Sequence, residues 1–129
     1  WATLQEPLLW VLHLGYGFVP LALAAIALAA LGVVSPPSAL HVLTVGVIGV
    51  MTLAVMTRAT RGHTGGRLAA SVATTVSYGA LAAAALVRPF AELLPGLYHP
   101  ILALSASFWI IAFVLFLAEH APMLLAPRH

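Results

Sequence analysis

The chain has 129 residues, of which 63% are hydrophobic and only 6% are charged, and its mean hydropathy is +1.10. Soluble domains carry about 25% charged residues, so this composition excludes a soluble globular domain and indicates an integral membrane protein. The absence of cysteine excludes disulfides and thiolate metal sites, and the net charge of +2 gives no indication of nucleic-acid binding.

Four apolar segments are long enough to cross a bilayer, which takes about 20 residues as a helix. They cover residues 8–34, 39–57, 68–87 and 101–118. These segments are too long and too uniformly apolar for barrel strands of about 10 residues. We therefore predict an all-α integral membrane protein, with a single transmembrane region over residues 1–129 and four antiparallel transmembrane helices. Because the chain begins at Trp1 beside an apolar span, we expect it to be a fragment of a larger helical bundle.

The first segment contains His13, which lies about 9 Å inside the helix if that helix starts near Pro7. Ionisable side chains within a membrane are costly and indicate a functional role by default. Pro20 has no N–H and clashes with the carbonyl of Tyr16, so we expect a kink about one turn beyond His13. His13 is therefore a candidate ligand.

The second segment contains His41, only about 4 to 5 Å in from Ser38. A projection at 100° per residue places His41, Thr44 and Thr52 on one face, whereas Gly46 lies away from it and suits close helix packing. Two interpretations of His41 are open. It is either a ligand or proton relay, or an interfacial imidazole that only makes hydrogen bonds.

The connection between the second and third segments is rich in arginine. It contains three arginines and the tail contains one, against a single arginine on the other side (Arg58, Arg61, Arg67 and Arg128, against Arg88). The positive-inside rule then places this loop in the cytoplasm. His63 also lies in this loop, where an interfacial role is favoured over a ligand role.

The last segment is flanked by His99 and His120, which we expect to be interfacial because they lie in or near loops. Glu119 beside His120 is a weak pair. The chain contains no Asp, so a Ser-His-Asp hydrolase is excluded.

Three stretches carry a family resemblance: WVLHLGYGFVPLALA (10–24), LHVLTVGVIGVMTLAVMTRATRGHTGGR (40–67) and FWIIAFVLFLAEHAPMLLAPRH (108–129). They resemble the NnrS family, polytopic bacterial membrane proteins associated with haem, with copper and with the response to nitric oxide and nitrosative stress. The resemblance covers essentially the whole chain and implies that it is the C-terminal part of such a protein. It implies a multi-pass protein of the bacterial inner membrane, in contact with the lipid bilayer, the remaining N-terminal helices of the same protein and nitric oxide.

The resemblance implies haem and copper as cofactors. Matching motifs make His13, His41 and His63 the candidate cofactor-binding residues, and we assign His13 and His41 as candidate metal ligands. These two start antiparallel helices from opposite faces, separated by roughly 30 Å of hydrocarbon core, so we expect two separate half-sites. The alternative functions are a transporter or channel, whose signature would be broken helices, and an assembly subunit with structural histidines.

Overall fold

The computed structural model of the chain describes residues 6–63 and 69–125, and within these ranges it is 90% helical and contains no strand. The helices are α1 (Pro7–Ala30), α2 (Pro36–His63), α3 (Val72–Val87), the short α4 (Phe90–Leu93) and α5 (Tyr98–Leu125), with one 3₁₀ turn at Pro95–Leu97. The all-α class predicted from the sequence is therefore confirmed.

Three stretches of helix in the described residues are long and apolar enough to cross a membrane. They are Pro7–Ala30, Pro36–His63 and Pro95–Leu125. The third predicted span, 68–87, corresponds to α3, which has 16 residues. A helix of that length is about 24 Å long, short of a hydrocarbon core of about 30 Å. The predicted count of four spans is therefore not confirmed.

The chain reversal between α1 and α2 depends on two capping devices. Gly32 adopts φ 72°, and the N–H groups of Gly32 and Val33 donate to the carbonyls of Ala29 and Leu28, the pattern of a glycine-terminated helix. This ends α1 four residues before the predicted boundary at 34. Ser35, rather than Ser38, then caps α2 by accepting a hydrogen bond from the Ser38 N–H.

The middle of α2 is a π-helix, an arrangement that the sequence pattern did not predict. It covers Val42–Gly49, and the N–H of Val50 donates to the carbonyl of Val45, five residues back. Within this stretch every fourth residue is buried, at Val42, Gly46 and Val50. π-Helical turns occur frequently at functional sites.

Helix α1 packs against α2 through two glycines. A Cβ atom on Gly46 would lie 2.4 Å from Cδ1 of Phe18, and one on Gly15 would lie 2.8 Å from Sδ of Met51. Higher residue numbers on α1 therefore meet lower ones on α2, and the two helices are antiparallel. Helix α1 also continues without interruption through Pro20, so the expected kink can only be a bend within a continuous helix.

Replacing Gly46 with alanine should destabilise the protein, because the new methyl group meets the ring of Phe18, which is fully buried and has no room to move. Overpacking of this kind costs about 1–3 kcal/mol, and a lower unfolding temperature in detergent would measure it. Gly17→Ala is the matched control, since a Cβ there meets nothing within 4 Å. Equal effects of the two substitutions would contradict the proposed contact.

Helices α3 and α5 are joined by hydrogen bonds from buried serines. The Ser77 hydroxyl donates to the carbonyl of Ala112 at 2.6 Å, and the Ser105 hydroxyl donates to that of Ala84 at 2.8 Å. The contacts again run in opposite directions along the two helices. Such interhelical bonds satisfy hydroxyl groups that would otherwise be buried in an apolar environment.

Candidate functional site

His41 lies at the start of the π-helical part of α2 and points towards the end of α3. Its ring is half-buried, and Nε2 lies 3.2 Å from the carbonyl oxygen of Ala84. A carbonyl can only accept, so Nε2 carries the hydrogen and Nδ1 of the neutral ring keeps a free lone pair. The same oxygen accepts from Ser105. The hydrogen bond to the Ala84 carbonyl thus holds His41 in one tautomer, as is usual for a ligating histidine.

A groove of about 460 Å³ opens beside His41, between α2, the end of α3 and α5. We call it the His41 groove, and the side chains that define it are His41, Arg88, Leu102, Ser105, Trp109 and Ile110. Its volume falls within the usual range of about 300–1,000 Å³ for small-molecule sites. Mostly apolar walls with a few nitrogen groups are typical of sites that take a largely apolar ligand.

Arg88 caps the C-terminus of α3 and supplies the only charged side chain among those that define this groove. Its Nε is buried and has no hydrogen-bond partner in the described part of the chain. A cation at a helix C-terminus is favourable because the carbonyl groups there carry partial negative charge. The Arg88 guanidinium therefore lines the groove, and no carboxylate of the described helices forms an ion pair with it.

The acidic residue nearest in sequence to Arg88, Glu92, is occupied by other donors. It accepts hydrogen bonds from the Ser35 N–H (2.6 Å), the Ser35 hydroxyl and the Ser38 hydroxyl (2.6 Å). Burial alone raises the pKa of Glu92, but these bonds and the charge of Arg88 outweigh burial and hold the pKa below its ordinary value. Glu92 is therefore ionised at neutral pH, and its stabilising contacts at the start of α2 are lost only as the pH falls through that lowered pKa.

The other two candidate residues are placed elsewhere. His13 is exposed on the outer surface of α1, where its Nδ1 donates to the carbonyl of Leu9 at 3.0 Å. His63 is the last residue of α2 and is also exposed. Among the residues that the structure describes, no three His, Cys, Asp or Glu side chains come together as a metal-binding group.

His13 and His41 are separated along the bundle. Gly15 lies beside Met51, so in the antiparallel pair His13 lies about two residues beyond that level, roughly twelve residues along α2 from His41, which corresponds to an axial distance on the order of 15–18 Å. This distance is smaller than the predicted 30 Å. It still far exceeds the reach of two metal–nitrogen bonds of about 2 Å each, so the two histidines do not form one site.

A polar cluster at the other end of the bundle was not predicted from the sequence, where Glu119 beside His120 indicated only a weak pair. The carboxylate of Glu119 accepts from the hydroxyls of Ser71 (2.6 Å) and Thr74 (2.7 Å) and forms an ion pair with Arg61. The neighbouring His120, expected to be interfacial, is completely buried; its Nδ1 donates to the carbonyl of Phe116 at 2.9 Å. This cluster joins α2, α3 and α5.

The three apolar helical stretches of membrane-spanning length, with large aliphatic side chains exposed along them, define a multi-pass membrane protein. The family described as NnrS protein matches residues 1–128. The chain therefore belongs to the NnrS family. No curated protein and no solved structure gives a significant match to the chain.

Proposed function

We propose that the chain is part of a haem- and copper-containing protein of the nitric oxide and nitrosative-stress response in the bacterial inner membrane. The observation that carries this proposal is the family match over residues 1–128. The His41 groove supports it from the chain's own residues, because it offers a fixed imidazole inside a membrane helix. The continuous course of α1 through Pro20 gives no support to a transporter with broken helices.

The residues of the His41 groove fit haem. In this proposal His41 would hold the haem iron through Nδ1, whose lone pair is free because Nε2 donates to Ala84. Trp109 and Ile110 supply apolar surface to the groove beside His41. When bound, haem supplies an iron centre that can take a diatomic gas, and the polarity around the iron decides what happens to that gas.

The described residues do not fit copper in the same way. A copper site in a protein generally needs several imidazole or sulfur ligands, and His13 is a single imidazole on the outer surface of α1. Copper bound at His13 therefore requires ligands from further helices of the same protein packed against that surface. His63, exposed at the end of α2, is the weakest of the three candidates.

The direct test is the absorbance spectrum of the protein purified from its membrane, together with its iron and copper content. We expect a haem Soret band that shifts when nitric oxide is added to the reduced protein. A protein that contains iron but shows no such shift would contradict the role in nitric oxide binding. A protein without haem or copper would contradict the proposal as a whole.

We also propose that α3 crosses the membrane, which gives four antiparallel spans with the Arg58–Arg61 end in the cytoplasm. The prediction is that Gly62→Cys is labelled only from the cytoplasmic side and Gly96→Cys only from the periplasmic side. Both glycines lie in open space, and the chain has no other cysteine, so a membrane-impermeant maleimide reports each position cleanly. Labelling of both positions from the same side would show that α3 does not span.

A further inference from the structure

Arg61 and Arg88 both have a buried Nε atom, but their surroundings differ. Arg88 lines the His41 groove. Arg61 forms an ion pair with Glu119, and both side chains are at most 15% exposed. Arg88 is only partly exposed, but it forms no hydrogen bond or ion pair within the described part of the chain. Removing a guanidinium from water without a partner is costly.

The His41 groove offers a place for a partner of Arg88. Glu92 already accepts three hydrogen bonds from Ser35 and Ser38, and it acts on Arg88 only through its charge. Arg88 also lines the groove, where Glu92 is not among the lining residues. A guanidinium presents donors in a planar fork that matches a carboxylate, so a groove ligand with a carboxylate would satisfy it.

We infer that Arg88 binds a carboxylate of the ligand in the His41 groove, so that the groove selects an apolar, flat, carboxylate-bearing molecule over its neutral ester. The inference rests on the proposed haem site and adds to it a second point of attachment. His41 then holds the centre of the ligand and Arg88 holds its edge. Two attachments at different positions would fix the orientation of the ligand, whereas a bond to His41 alone would let the ligand rotate.

The experiment compares the binding of haem and of its dimethyl ester to protein purified from haem-deficient cells. Quenching of Trp109 fluorescence is the readout, because this indole lines the groove, and the Trp109→Phe variant identifies its share of the signal. We expect wild-type protein to bind haem about ten- to a hundredfold more tightly than the ester, the range for a charge-assisted hydrogen bond.

Arg88→Gln should lower the affinity for haem to that for the ester and leave the affinity for the ester unchanged. Arg88→Lys should keep part of the preference, since lysine retains the charge without the planar fork. Arg58→Gln is the matched control, because it removes a half-buried arginine near the opposite end of α2; it should keep the full preference.

The possible failures are distinguishable. If wild-type protein binds neither compound, the proposed haem site itself is wrong. If it binds both equally, or if Arg88→Gln keeps the preference, the haem site stands and the role of Arg88 is overturned. A last outcome is that phosphatidylglycerol displaces bound haem from the wild-type protein but not from Arg88→Gln, while phosphatidylcholine displaces it from neither. Arg88 would then bind a lipid phosphate, and the carboxylate assignment would be overturned.

Discussion

Replacing Glu119 with glutamine should produce a large loss of stability. The substitution keeps an oxygen that can accept from Ser71 and Thr74, but it leaves the charge of Arg61 without the carboxylate that now pairs with it. The two side chains are 15% and 12% exposed, so solvent screens them little. Breaking a buried pair by removing one partner costs about 3–5 kcal/mol, and thermal unfolding of the detergent-solubilised protein would measure the loss.

Two further variants test this explanation. Glu119→Leu combined with Arg61→Met should be more stable than Glu119→Gln, because a matched apolar pair leaves no buried charge behind. Glu6→Gln is the control for a change of charge alone, since Glu6 is exposed and its side chain does not cap α1. An unfolding temperature of Glu119→Gln equal to that of the wild type would show that the cluster does not hold the three helices together.

Replacing His41 with alanine should remove haem from the purified protein. The substitution deletes the one imidazole among the described residues that line the groove and leaves the apolar walls in place, so the nitrogen that would hold the iron is lost. We expect the iron content and the Soret absorbance to fall together to near zero, whereas circular dichroism should report the same helix content. Iron retained at the wild-type level in a folded His41→Ala protein would exclude His41 as the residue that holds the iron.

Two other histidines provide controls for that experiment. His99→Ala removes an exposed imidazole that packs edge-on against Tyr98 and is not among the residues that line the groove, so it should leave iron unchanged. His13→Ala should also leave iron unchanged, because His13 lies on the order of 15–18 Å from His41 along the bundle. If His13→Ala and His41→Ala removed the same single metal ion, the separation of the two sites would be refuted.

Hydropathy was sufficient to predict the all-α membrane class, because a chain with 6% charged residues has few other ways to fold. The helix ends were harder to place. The predicted second span stopped at residue 57, where charged and polar residues begin, but α2 continues to His63. Hydropathy locates the apolar stretch and not the end of the hydrogen-bonded helix, which depends on capping and on tertiary contacts.

The candidate site was only partly predictable. His41 stood out as an ionisable residue inside an apolar segment, but Arg88 was interpreted only as a determinant of orientation. Its place beside His41 depends on the packing of α3 against α2, which no sequence pattern reports. The partner of Glu119 could have been predicted better. A carboxylate next to an apolar span indicates a partner across the bundle, and Arg61 is that partner.

The carbonyl oxygen of Ala84 accepts from His41 on α2 and from Ser105 on α5, while itself belonging to α3. One acceptor therefore links the imidazole to the relative positions of three helices. A small shear of α5 past α3 would change the bond to Ser105 and, through the shared oxygen, the strength of the bond that orients the ring. The basicity of Nδ1 would change with it. The orientation of the imidazole therefore depends on the packing of all three helices and not on α2 alone.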